Sequence, residues 1–136
     1  MATAQIFNSF KEALAEKVHD LGSDTLKFAL TDTAPILSNS QFADLTEIAA
    51  GNGYTAGGTA VIVTSSSQVG GTYALVLAAC TFTAAGGGIG PFRYAVLYND
   101  SAANKELIGF VDYGVSYTLP DTQPFTLTAG TFFTLA

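Results

Sequence analysis

A chain of 136 residues suits one domain with its own core, because a domain of this size hides roughly two thirds of the surface its unfolded chain exposes. A single cysteine, Cys80, excludes an intramolecular disulfide or a cysteine-rich metal site, and a single histidine, His19, excludes a ligand set built on histidines. Charged residues are 12% of the chain against a usual ~25%, and a net charge of −6 excludes a surface made to meet nucleic-acid phosphates.

The first predicted element is a helix over residues 10–21. Phe10, Leu14, Val18 and Leu21 recur at spacings of four, four and three, which lays one apolar stripe along a helix. Ser9 followed by Glu12 reads as a capping box, with Asn8 as the alternative cap, and Gly22 stands where a left-handed residue ends a helix. Everything after Gly22 reads as β. In "TLKFALT" (residues 25–31) Leu26, Phe28 and Leu30 share one face. Residues 38–50 are ambiguous, since Phe42, Leu45 and Ile48 are three apart and admit a helical turn. "TAVIVTS" is a β-branched strand, Gly70-Gly71 a turn, and "TYALVLAACTFT" a long, bent strand. "AAGGGIGP" (residues 84–91) reads as a loop. "FRYAVLYN" alternates, with Phe92, Tyr94, Val96 and Tyr98 on one face. "ELIGFVDYG" pairs back on it as a hairpin, Pro120 and Pro124 bound a further loop, and "FTLTAGTFFTLA" supplies one or two final strands. The expectation is a mainly β chain of one domain, residues 1–136: an antiparallel β-sandwich or barrel of about seven strands with one N-terminal α-helix.

No leader of basic start and apolar run is visible, and the longest apolar run is far short of the ~20 residues of a membrane span. The expectation is a soluble protein of a reducing compartment, with no membrane partner. Gly51-Asn52-Gly53-Tyr54-Thr55-Ala56 fits a loose dinucleotide fingerprint, G-x-G-x-x-A. That fingerprint needs a helix after it and an acidic residue about 20 positions on. Here a β-branched run follows and no acidic residue stands between Glu47 and Asp100, so a glycine-rich turn leading into a strand is the better reading. Asp112-Tyr113-Gly114 looks like a magnesium-binding Asp-Phe-Gly, but the lysine and catalytic loop of that chemistry are missing, and Asp112 reads as a bonder of turn amides. His19 reads as a solvated helix residue and Cys80 as a buried small hydrophobe. No acid–base pair, metal set, cofactor or small-molecule ligand is expected, and the residues argue for a protein that is not an enzyme.

Several segments occur together in order: "DTLKFALTDTAP", "GNGYTAGG", "FRYAVLYND", "LIGFVDYG" and "FTLTAGTFFTL". Together they resemble a family of small virion structural proteins of tailed bacteriophages, whose members commonly open with a short helix of the type seen in residues 7–14, "FNSFKEAL". The resemblance spans residues 7–135. It implies a non-enzymatic capsid decoration (cement) protein, made in the bacterial host cytoplasm and carried on the capsid surface of the virion. Its partners would be the major capsid protein and copies of itself, a trimer included. Relatives carry an acidic patch and a tryptophan before "RYAV". The uncharged "CTFTAAGGGIGPF" here implies a drier contact through that loop. The regions expected to touch neighbours are residues 2–10, 84–91 and 119–124. The alternatives are a tail, connector or fibre-base protein, or a carbohydrate-binding surface domain stacking sugars on Tyr54, Tyr98, Tyr113 or Tyr117.

Overall fold

A computed structural model describes residues 4–136. It is mainly β, in antiparallel sheets that are not closed into a barrel. Among the described residues ten strands form, where about seven were expected: β1 (Gln5–Ile6), β2 (Leu26–Thr31), β3 (Thr59–Val61), β4 (Val63–Val69), β5 (Thr72–Leu77), β6 (Cys80–Thr83), β7 (Ile89–Asn99), β8 (Leu107–Leu119), β9 (Pro124–Leu127) and β10 (Gly130–Leu135). The extra strands arise where continuous apolar runs break. Ile62, 71% exposed, divides β3 from β4, and Ala78-Ala79 divides β5 from β6, so that each piece joins a different sheet.

A five-stranded sheet runs β1-β8-β7-β2-β3, a three-stranded sheet β10-β5-β4, and β6 pairs with β9. The main core lies where Leu26, Phe28 and Leu30 of β2 meet Leu75 and Leu77 of β5, Phe82 of β6 and Phe132 of β10. The alternation read in β2 is correct, because Ala29 joins a second cluster on the opposite face. There Phe7, Val96, Tyr98 and Phe110 are covered by Phe42 and Leu45, the first residue and the C-cap of a single 3-10 turn at Phe42–Asp44 in the ambiguous segment. Covering both faces of the central strands leaves β7 buried continuously from Tyr94 to Asn99.

Three expectations are corrected. Helix α1 spans Asn8–Ala15 only, follows Phe7 as N-cap with no side-chain cap bond, and stops well before Gly22. Lys17 takes the left-handed turn instead (φ 68), and Val18 N–H donates to Ala13 O, which steers His19 and Leu21 inward. Phe92 does not share a face with Tyr94, since a register shift between them turns Phe92 into the main core while Tyr94 joins the second cluster. The expected loop at residues 84–91 yields its last three residues to β7, and β8 runs on through Gly114 to Leu119.

Candidate functional site

The glycine-rich segment folds into a turn held by its own backbone. Gly51 and Tyr54 exchange N–H···O bonds of 2.8 and 3.0 Å, and Gly58 N–H donates to Thr55 O. Gly58, at φ +85, lies against β2 so closely that a Cβ would collide with the Phe28 carbonyl; Gly53 stands likewise against Thr83. Where a nucleotide phosphate would need free amides, the Glu47 carboxylate is already present. Its Oε2 accepts the Gly57 N–H (2.6 Å) and the Tyr54 hydroxyl (2.5 Å), while Leu30 N–H donates to the same hydroxyl (3.0 Å). Burial, and next the bond to Glu47, push the Tyr54 phenol well above its ordinary value. A carboxylate on the Gly57 amide, with the Gly51, Tyr54 and Gly58 amides spent on backbone carbonyls, is the opposite of an anion cradle. Glu47 carries this arrangement and has no local sequence signal, because its partners lie 7 and 10 positions away.

His19 is not a solvated helix residue. It lies beyond α1 and is buried, 6% exposed, with its ring 5.2 Å from that of Phe10. Its Nδ1 stands 3.0 Å from Asn99 Nδ2, which also donates to Asp24 Oδ2, and Nε2 has no partner. Burial pulls its pKa down, with the Glu106 and Asp24 carboxylates pulling the other way. Asn99, fully buried, completes the knot by accepting the Ser101 and Ala102 amides at the β7–β8 turn. Cys80 is buried as expected, and desolvation raises its thiol to about 11, far from a thiolate nucleophile.

Of the four tyrosines considered for sugar stacking, Tyr54 and Tyr98 are buried, and the Tyr98 hydroxyl donates to Gly57 O. Tyr113 and Tyr117 lie together, ring centroids 5.8 Å apart, because Gly114 (φ +102) bends β8 between them. Asp112 sets that bend: its Oδ1 accepts the Gly114 N–H (2.8 Å), the turn-amide role expected of it, within a strand that continues. The same carboxylate takes a two-pronged bond from Arg93, Nε to Oδ1 at 2.8 Å and Nη2 to Oδ2 at 3.0 Å. The guanidinium, foremost, holds the Asp112 carboxyl below its usual range. Beside this pair opens a cleft of about 560 Å³, its floor formed by Leu30, Phe92, Ala95 and Leu127 and its walls by Tyr113 and Phe125.

The loops expected to touch neighbours meet at one end of the molecule. Ala84 N–H donates to Gln123 O, Thr122 N–H to Ala84 O, Ala85 N–H to Asn52 O, and Asn52 Nδ2 to Gly88 O. The 84–91 loop, the 119–124 loop and the Gly51–Tyr54 turn thus form one braced surface. The N-terminal segment behaves differently. Ala2 and Thr3 lie outside the described residues, whereas β1 pairs with β8 and Phe7 and Phe10 are core residues. Among the described residues no group of three or more His, Cys, Asp or Glu side chains is placed to hold a metal ion, and no helix is long and apolar enough to cross a membrane. Comparison with protein-family models, curated proteins and solved structures finds no match to this chain.

Proposed function

We propose that this chain is a non-enzymatic structural protein of a bacteriophage particle, a decoration protein that binds the outside of the major capsid shell and stabilises it. The observation that carries this reading is the state of its one central charge. Residues 48–99 contain a single ionised side chain, Arg93, and it is matched by Asp112. The strands and loops of that half present Ser, Thr, Gly and Ala to their surroundings, with Ile62 and Val69 exposed among them.

Burying such a surface against a neighbour removes no ion from water, so the desolvation that opposes charged interfaces is small. Contacts of the usual size bury about 1,200–2,000 Å² in total, and symmetry repeats the surplus over a shell. The braced end formed by the 84–91 and 119–124 loops is the part proposed to meet the shell. The segments quoted above as resembling phage virion proteins support the same reading.

The test is binding to purified phage heads followed by quantitative mass spectrometry of the particles. Hundreds of copies per particle, lost when heads are stripped with denaturant, is the expected result. A small multiple of six or twelve would move the chain to the tail or connector. A second reading, a carbohydrate-binding domain, is favoured by the cleft, where aromatic walls stand beside the Arg93–Asp112 pair. Binding on a glycan array that disappears in Tyr113→Ala, with no copies on heads, would establish it instead.

A further inference from the structure

We propose that the free edge of β4 is the seat of a second copy of this chain, paired antiparallel about a two-fold axis through Ser67. This contact goes beyond the capsid reading and does not depend on it.

β4 is the outer strand of the three-stranded sheet, bonded to β5 alone. Its hairpin turn is Gly70-Gly71, both left-handed (φ 59 and 88), with Val69 paired to Thr72. A two-residue turn of this kind is closed by a hydrogen-bonded pair, and bonded positions then alternate along the strand. Val69, Ser67 and Ser65 therefore direct their backbone groups to β5, and Ser66 and Gln68 direct theirs away from it. The register shift between Val63 and Ser65 ends the regular edge on the other side. Two outward-facing residues remain. An antiparallel pairing that uses both in both copies has one solution: Ser66 of one copy opposite Gln68 of the other, with Ser67 opposite itself.

The chemistry of the edge names the occupant. Natural sheet edges are guarded by lysine, proline or inward charges, and β4 (VTSSSQV) has none of these. In this register only Ser67 meets its own copy, and because β4 carries no charge the other cross-strand pairs, Ser66 with Gln68 and Ser65 with Val69, bring no repulsion either. The serines offer no pockets for a partner's side chains, which leaves backbone pairing with an equally flat strand. Val69, 79% exposed, would lie opposite Ser65 of the other copy and lose apolar surface to it. Lys17, Asp20 and Asp24 line one hollow together with Ser66 of β4 and Tyr73 of β5. Each copy also carries −6 overall, a long-range repulsion that salt screens. Pairing should therefore tighten as salt is added, the reverse of an interface made of ion pairs.

Sedimentation velocity of the full chain at low and high salt tests this. The expected result is a monomer–dimer equilibrium that shifts toward dimer with salt and is weakened about tenfold or more by Ser67→Lys, which sets two ammonium groups face to face. Ser67→Cys should cross-link to a covalent dimer under mild oxidation, since directly opposed residues of this class have Cα atoms about 4.5 Å apart, within disulfide reach. Val115→Cys, on a different sheet, should not. Ser67 is exposed, so circular dichroism should show both Ser67 variants folded. A chain that stays monomeric to roughly millimolar concentration in high salt, below the weakest affinities usually assigned to specific contacts, overturns the proposal. So does a dimer indifferent to Ser67→Lys, or one in which Ser67→Cys fails to cross-link.

Discussion

Glu47 is the side chain on which the glycine-rich segment turns, because one carboxylate oxygen joins the Tyr54 hydroxyl to the Gly57 amide while β2 bonds the same hydroxyl through Leu30. Tyr54→Phe leaves the Leu30 N–H and the Glu47 carboxylate each short of a partner. Urea unfolding should show a loss of about 1–3 kcal/mol. Gly58→Ala adds a Cβ against the Phe28 carbonyl at a left-handed backbone angle, and the loss should be about 2 kcal/mol or more. His19 gives a pH dependence whose sign follows from its lowered pKa. The unfolded chain takes up the proton near the ordinary value of 6.5 and the folded chain only below it. The neutral ring's contribution is therefore complete above pH 6.5 and is lost as pH falls through and below that value, with a slope no steeper than about 1.4 kcal/mol per unit. Melting curves at successive pH values should show this acid-side decline flattened in His19→Gln.

At the scale of elements, the helix and the hairpins obey different constraints. An eight-residue helix is not stable alone, so α1 persists because Phe10 packs against Phe133 and the buried His19 ring. Its end is set by where that packing stops, which explains why a periodicity reaching Leu21 overstated its length. The β4–β5 hairpin is local and was readable from Gly70-Gly71 alone. Gly70 is left-handed with nothing within 4 Å of an added Cβ. Gly70→Asn should therefore stabilise by roughly 0.5 kcal/mol, through the unfolded chain's lost freedom and the Asn-Gly preference of such turns. Thermal melting would register this as a small rise in Tm. The bulge that separates Phe92 from Tyr94 has no equivalent signal, since both are aromatic and either face of β7 is apolar.

The whole molecule is a layered β protein of sparse charge, with Arg93 the single ionised side chain of residues 48–99 and Asp112 paired to it. If the loop end binds a shell, a charge placed there should lower occupancy without disturbing the fold. Gly86→Asp meets that condition, because Gly86 has open space and aspartate tolerates its left-handed angle better than most residues. The expected outcome is fewer copies per phage head in a binding assay, with unfolding stability within about 1 kcal/mol of the parent. The readable parts of the candidate surface were the low charge, the loop compositions and the turn role of Asp112. The cleft, the Arg93–Asp112 pair and the inward orientation of Tyr54 and Tyr98 join residues 19 to 41 positions apart or more, and no local pattern encodes them.

What the sequence determined by itself was whatever depends on near neighbours: one mainly β chain, the alternation in β2, the glycine turns, a buried Cys80 and a sparse charge. Those follow from side-chain period and backbone freedom, which act over a few residues. The tertiary structure alone decided where α1 stops, which runs break into separate strands, that His19 is enclosed, and that Glu47 takes the Gly57 amide. Each is settled by atoms that become neighbours only when the sheets close on one another, because burial and hydrogen-bond satisfaction are properties of the packed molecule.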